Sequence, residues 1–303
     1  MKNKALKRLI CGLVALVVYF SFSSFNLYAQ SNPDSSTNRG YRLKTIIIDP
    51  GHGGEHPSVK GHYSMGAHGE YSTERGVTLA VGLKLQAAIE KELPGVRAVL
   101  TRTTEEDVDW QKRADIANQN KGDLFISLHC NALPDRVVRE KVGTKHGKPV
   151  YKTHTVPDRS GRGVLELVYG LHRTNEESSA IRNTQIEEEA SADESFDPND
   201  PVNAILINEY KRKFRKQSIT MAGLINNELV EVDGRKSSGV LEQGILVLCH
   251  TAMPSTLLEM GFIDNPDDEA YLNSEKGQSE IVESIIRALK KYRDGVELAT
   301  DGQ

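Results

Sequence analysis

Two histidines and two glutamates are the residues of this chain best equipped for chemistry, and they are spread from position 52 to position 259. His52 lies among three glycines in Asp49-Pro50-Gly51-His52-Gly53-Gly54, directly after the apolar run Ile46-Ile47-Ile48. Glycines there let the backbone turn sharply and approach a ligand closely. His129 ends the run Leu124-Phe125-Ile126-Ser127-Leu128, Glu259 ends Ser255-Thr256-Leu257-Leu258, and Glu74 opens a long helical pattern. Two imidazoles and one carboxylate make a three-ligand set that suits Zn²⁺ and leaves a fourth position for water. Ligands so far apart in sequence fit a catalytic site better than a structural one, which usually closes with nearby cysteines. A glutamate beside activated water can accept its proton and pass it to a leaving amine. Taken singly, each residue has a plainer reading: a loop histidine, a helix-end charge, a core histidine, a salt-bridge partner. The chemistry needs all four to meet.

The surrounding pattern gives them a place to meet. Strands are expected at Leu43–Asp49, Val96–Thr101, Asp123–Cys130, Gly163–Tyr169, Gly244–Leu248 and Ser255–Glu259. Helices are expected at Thr73–Glu92, with Val77, Leu79, Ala80, Leu83 and Leu85 as the apolar stripe, at Trp110–Asn120, from Asp200-Pro201 to about Glu231, and at Glu280–Tyr292. This alternation predicts an α/β fold, a mostly parallel twisted sheet with helices on both faces. In such a sheet the strand C-termini share one edge, where His52, His129 and Glu259 would lie. Glu74, at a helix N-terminus on that edge, is favoured as an ion by the helix dipole.

The flanks read differently. Lys2, Lys4, Lys7 and Arg8 precede the apolar stretch Leu9–Phe22, and Ala29 is a plausible cleavage position, so residues 1–29 read as a secretory signal peptide. That implies export to the periplasm or cell envelope. Residues 30–41 read as a flexible leader, 42–295 as one catalytic domain and 296–303 as a tail. Loss of 1–29 would remove four of the 38 basic residues and none of the 42 acidic ones, leaving a formal charge of −8. Such a chain makes a poor nucleic-acid binder. Cys130 and Cys249 remain as either two buried thiols or one bridge. Residues 133–160 read as a polar excursion, and 174–200 as a mobile acidic insertion. Nothing demands more than a monomer.

The motifs resemble those of the zinc-dependent N-acetylmuramoyl-L-alanine amidases of the type 3 family. The resemblance rests on His52 in Asp-Pro-Gly-His-Gly-Gly, on Glu74, on His129 in Ser127-Leu128-His129-Cys130-Asn131-Ala132, and on Glu259 in Leu-Glu-Met-Gly-Phe-Ile-Asp-Asn. Thr101-Arg102, Arg113 and Ala117-Asn118 fit the pattern between the histidine motifs, and the likeness spans about residues 43 to 292. It implies zinc on His52, Glu74 and His129, Glu259 as the catalytic carboxylate, and Asn131, Arg102 and Arg113 in support. It also implies cleavage of the amide joining muramic acid to L-alanine in peptidoglycan, in wall remodelling or daughter-cell separation. In some members an inserted segment covers the zinc until a partner protein lifts it. Here Glu187, Glu188 or Glu189 would be the inhibitory side chain and an activator protein the partner. Arg75 stands where the family usually has Lys, and Cys249 where it often has Arg; His56, His62 and His68 read as solvated. The competing readings are another exported zinc peptidase acting on the stem peptide and a non-catalytic peptidoglycan-binding module.

Overall fold

Three consecutive isoleucines, Ile46, Ile47 and Ile48, are wholly buried. A strand with no solvated face belongs in the middle of a covered sheet. The computed structural model describes residues 42–54, 65–170, 174–186 and 201–301. The expected signal peptide and leader, His56, His62 and Glu187 to Glu189 lie outside the described residues. Residues 42–294 form one compact unit. Among the described residues no helix is long and apolar enough to cross a membrane.

In chain order the strands are β1 (Thr45–Pro50), β2 (Arg97–Leu100), β3 (Leu124–Asn131), β4 (Arg136–Lys145), β5 (Lys148–Val156), β6 (Val164–Tyr169), β7 (Ser237–Gln243) and β8 (Ser255–Phe262). The helices are α1 (Glu74–Glu92), α2 (Trp110–Gln119), α3 (Thr174–Ile181), α4 (Pro201–Asn227), the short turn α5 (Leu246–Cys249), α6 (Pro266–Asn273) and α7 (Glu275–Asp301). Six strands make the main sheet in the order β2-β1-β3-β8-β6-β7. β2, β1, β3 and β8 run parallel, and β6 pairs antiparallel with β8 and parallel with β7. The mostly parallel sheet is therefore as expected.

The register aligns the strand ends. Ile48 pairs with Ile126, Asp49 with Ser127, and His129 with Glu259. Alternation then puts Ile47, Phe125 and Leu257 on one face, where they pack with Ala117, Val247, Leu248 and Met253. α1 starts at Thr73, whose hydroxyl accepts from the Gly76 N–H, and buries Val77, Val81, Leu85 and Ile89. That stripe steps by four residues, so Leu83 turns outward and is 41% exposed, contrary to its place in the expected stripe.

Four further differences have physical causes. The run Gly244–Leu248 is not a strand; β7 ends at Gln243 and Leu246–Cys249 turns helically, with Cys249 N–H donating to the Ile245 carbonyl at 3.2 Å. A short, evenly apolar run carries no period to separate the two states. Residues 136–156 form a β-hairpin closed by His146-Gly147, both at positive φ, as a two-residue primed turn requires. Residues 174–186 are helical rather than irregular, α3 followed by a π-helical turn (Arg182–Ile186), and Ile181 packs with Ile207 and Phe214. The last helix runs through Asp301, into the residues read as a tail. Cys130 and Cys249 are both buried free thiols, so they form no bridge.

Candidate metal centre

The turn after β1 carries its strain on His52 itself, which sits at φ 58° between glycines. A non-glycine residue in that left-handed region needs its surroundings to hold it. Two buried arginines do so through carbonyl groups. Arg102 donates to the carbonyls of Pro50 and Gly51 at 2.9 Å each and to that of Arg75 at 2.8 Å. Arg113 donates to the carbonyls of Pro50 (2.6 Å), His52 (2.5 Å) and Val108 (2.6 Å). Arg113 also donates to Asp49, which accepts from Thr101 Oγ1 at 2.6 Å and Ser127 Oγ at 2.7 Å as well. Burial alone would raise the Asp49 carboxyl, but the Arg113 charge and these hydrogen bonds hold it below its ordinary value. Asp49 is thus the buried post beneath the turn, a role not apparent from its place at a strand end.

Glu74 connects the two histidines. Its Oε2 lies 3.2 Å from His52 Nε2, and its Oε1 lies 2.9 Å from His129 Nδ1. Backbone groups fix both oxygens: Ala67 N–H donates to Oε2 at 2.7 Å and Cys130 N–H to Oε1 at 2.9 Å. Burial opposes its charge, but the hydrogen bonds from His129 and His52 outweigh that, and the carboxyl is held far below the usual range. For His129 burial lowers the imidazole, yet the bond to Glu74 and the nearby acids leave it raised overall. The two rings meet edge to face with centroids 4.9 Å apart. One ligand atom from each of His52, Glu74 and His129 lies within 4.8 Å of the others, so the group could hold a metal ion.

Two glycines give these rings their room. A Cβ on Gly51 would lie 2.4 Å from His129, and one on Gly66, at φ +77°, would meet Glu74 Oε2 at 2.6 Å. Gly66 has no sequence signal beyond being a glycine. Glu259, half-buried and opposite His129 in the register, has an Oε2 that is buried without a hydrogen-bond partner among the described residues. Burial pushes its carboxyl up to about 7, with His129 pulling it down and Glu74 raising it further. His52 and His129 line a cavity of about 360 Å³, bordered by Asp107, Trp110, Ile245 and Leu246. Trp110 packs against His250 at 4.8 Å and stays 38% exposed.

The remaining expected residues are structural in their contacts. Asn131 caps its own turn, accepting from Ala132 N–H at 2.8 Å. His68 makes an isolated bridge with Thr73 and is not among the clustered ligands. Sequence reading missed Glu269, whose carboxylate accepts from the N–H groups of Glu70, Tyr71 and Ser72, each at 2.9 Å, and from Ser72 Oγ at 2.8 Å. It clamps the loop that leads into Glu74.

Comparison with known proteins agrees with this fold. The chain is 29% identical over 276 residues to N-acetylmuramoyl-L-alanine amidase AmiC of Escherichia coli, covering 90% of this chain and 59% of that protein. It therefore spans little more than half the length of that relative. Amidase AmiC2 of Nostoc punctiforme superposes with a TM-score of 0.53 at 23% identity, covering 84% of this chain and 98% of the other. The CwlD amidase of Clostridioides difficile, solved in complex with the GerS lipoprotein, gives 0.54 at 22%, covering 82% and 98%. The family model described as N-acetylmuramoyl-L-alanine amidase (Amidase_3) matches residues 46–291, and the chain belongs to that family.

Proposed function

We propose that this protein is a zinc hydrolase that cleaves the amide between N-acetylmuramic acid and L-alanine in peptidoglycan. The observation that carries the reading is the meeting of His52, Glu74 and His129, from three separate elements, beside Glu259. The donor set fits zinc: two imidazole nitrogens and a carboxylate oxygen held ionised, a borderline mixture. The neighbouring Cys130 thiol is kept protonated by burial and does not compete.

His52, Glu74 and His129 would hold the ion. When bound, zinc supplies Lewis-acid polarisation of the scissile carbonyl and lowers the pKa of water. Glu259 is the group placed to accept a proton from the attacking water and to deliver it to the departing L-alanine nitrogen. Its carboxyl, pushed up to about 7, is a better base than an ordinary glutamate. Asp49, Arg102 and Arg113 keep the His52 turn from relaxing.

The cellular reading follows from the same proposal. Residues 1–29 would direct export and be removed near Ala29, and the enzyme would act on the wall in the cell envelope. We also infer that the segment 174–200 restrains the site, with Glu187, Glu188 or Glu189 as the blocking acid and an activator protein to displace it. A relative is seen bound to a lipoprotein. Deleting 176–198 should raise activity on sacculi; unchanged or lower activity in a folded variant ends that idea.

The central test is digestion of purified sacculi with and without EDTA, read by mass spectrometry and beside metal analysis. Release of intact stem peptides, abolished by EDTA and restored by zinc, is expected. Cuts within the stem peptide, or cleavage indifferent to chelation, overturn the reading.

A further inference from the structure

β4 and β5 make a two-stranded sheet of their own. Residues 136–156 hold six Lys and Arg against a single Glu, a charge of +5 in a chain whose total is −4. The rest of the chain is therefore at −9, so the arm is opposite in sign to the remainder taken together. A hairpin with strands of ten and nine residues extends roughly 30 Å. Almost all of it is exposed; only Val138, His154 and Val156, near its base, are half-covered.

Its base is fixed beside the candidate metal centre. β3 ends two residues after His129 and leads directly into the arm. Leu133 N–H donates to Asp264 at 2.9 Å, just past β8. On the return, Arg159 pairs with Glu70 at 3.3 Å, in the loop before Glu74, and its carbonyl accepts from Asn265 at 2.8 Å.

The pairing register distributes the cations over both faces. Arg139 and Lys141 share a face with Tyr151, and the Arg139 guanidinium stacks 4.3 Å above that ring. Arg136, Lys145, Lys148 and Lys152 lie on the other face. An element that inserts among lipid chains needs one continuous apolar face, and neither face provides it. Cations on both sides of a thin arm, with an aromatic ring on one, fit a mesh that presents anions from several directions.

We propose that the 136–156 hairpin is a wall-holding arm that binds the carboxylates of stem peptides neighbouring the one being cut. This rests on the proposed peptidoglycan substrate and adds a second point of attachment to it. Exposed charge pairs are individually weak and salt-screened. Several acting along one polymer keep the enzyme on it between cuts by raising its effective concentration.

The test replaces Arg139, Lys141, Lys145, Lys148 and Lys152 with Gln. Sacculi freed of protein and accessory polymers are used for co-sedimentation in a Glu259→Gln background, which leaves the wall uncut. Binding should fall about tenfold or more at low salt. Sacculi whose carboxylates have been amidated should bind the parent as weakly as untreated sacculi bind the variant. With Glu259 restored, turnover of a soluble muramoyl-tripeptide should be the same with and without the five substitutions. Unchanged sedimentation of the variant overturns the proposal, as does equal binding to amidated walls. Loss confined to anionic phospholipid vesicles also overturns it, in favour of a membrane arm. If the parent leaves the soluble muramoyl-tripeptide intact, the amidase reading is what fails, while the sedimentation result still decides the arm.

Discussion

Gly51 lies so close under the His129 ring that a Cβ there would be 2.4 Å from its Cε1 and Nε2. The ring can stay only where no side chain stands, and the β1 turn can descend that far only as glycine. Gly51→Ala should therefore push the imidazole out of reach of the other two donors. We expect metal affinity to fall at least about tenfold, in the range seen when the supports of metal ligands are removed. Isothermal titration with zinc measures it, with circular dichroism confirming the fold. Parental affinity in a folded Gly51→Ala protein would show that the ring has room to spare.

Glu269 acts at a greater distance from the donors. Four hydrogen bonds from residues 70 to 72 converge on it, and they hold its carboxyl below the ordinary value in spite of burial. Glu269→Ala leaves those donors unmatched and should cost about 1–3 kcal/mol of stability. It should also weaken zinc binding, because the clamped loop leads directly into Glu74. Glu269→Gln, which keeps one acceptor oxygen, should recover part of both. A stability loss with unaltered zinc affinity would make the clamp purely structural.

For Glu259 the expected pattern is retained metal and lost chemistry. Glu259→Gln should bind zinc as the parent does and lose about 10²–10⁴ in kcat. The parent carboxyl, pushed up to about 7 by burial, acts as a base only when ionised. A bound cation draws that value down, so the acidic limb of kcat/KM should fall at or below about pH 7. A near-normal rate in the Gln variant, or a limb above pH 8, removes Glu259 from this role.

Glu166 offers a test on stability alone. It is wholly buried on β6, accepts from Thr256 Oγ1 at 2.6 Å, and burial pushes its carboxyl well above the usual range. In the unfolded chain it ionises near about pH 4.3. Between there and its folded pKa the unfolded state binds fewer protons, so stability declines as pH rises, by about 1.4 kcal/mol per unit. Glu166→Gln removes that slope. Its Tm relative to the parent should be higher at pH 8 than at pH 5. An equal difference at both values would mean that Glu166 is ionised in the fold.

The sequence alone determined the frame of the protein and the four residues at its centre. Buried parallel strands read as unbroken β-branched runs, such as Ile46 to Ile48, because both faces are covered. Parallel strands end on one edge, so the positions of His52, His129 and Glu259 at their run ends already implied proximity. Glu74 was legible because a helix start carries local signals, a capping Thr73 followed by an acid. The hairpin was not, since its valines and Tyr151 fall at no regular period among the charged residues and it buries almost nothing. The helix at 174–186 was hidden likewise, Ile181 being the fully buried apolar anchor among its described side chains.

Only the tertiary structure decided which atoms meet. That Glu74 spans both imidazoles, that Gly51 and Gly66 leave space for them, and that Glu269 holds the approaching loop depend on contacts between residues up to 199 positions apart. Composition and period describe how a segment relates to solvent and core. They carry no information on which distant segment supplies a hydrogen-bond partner, and that pairing sets the positions of the donor atoms.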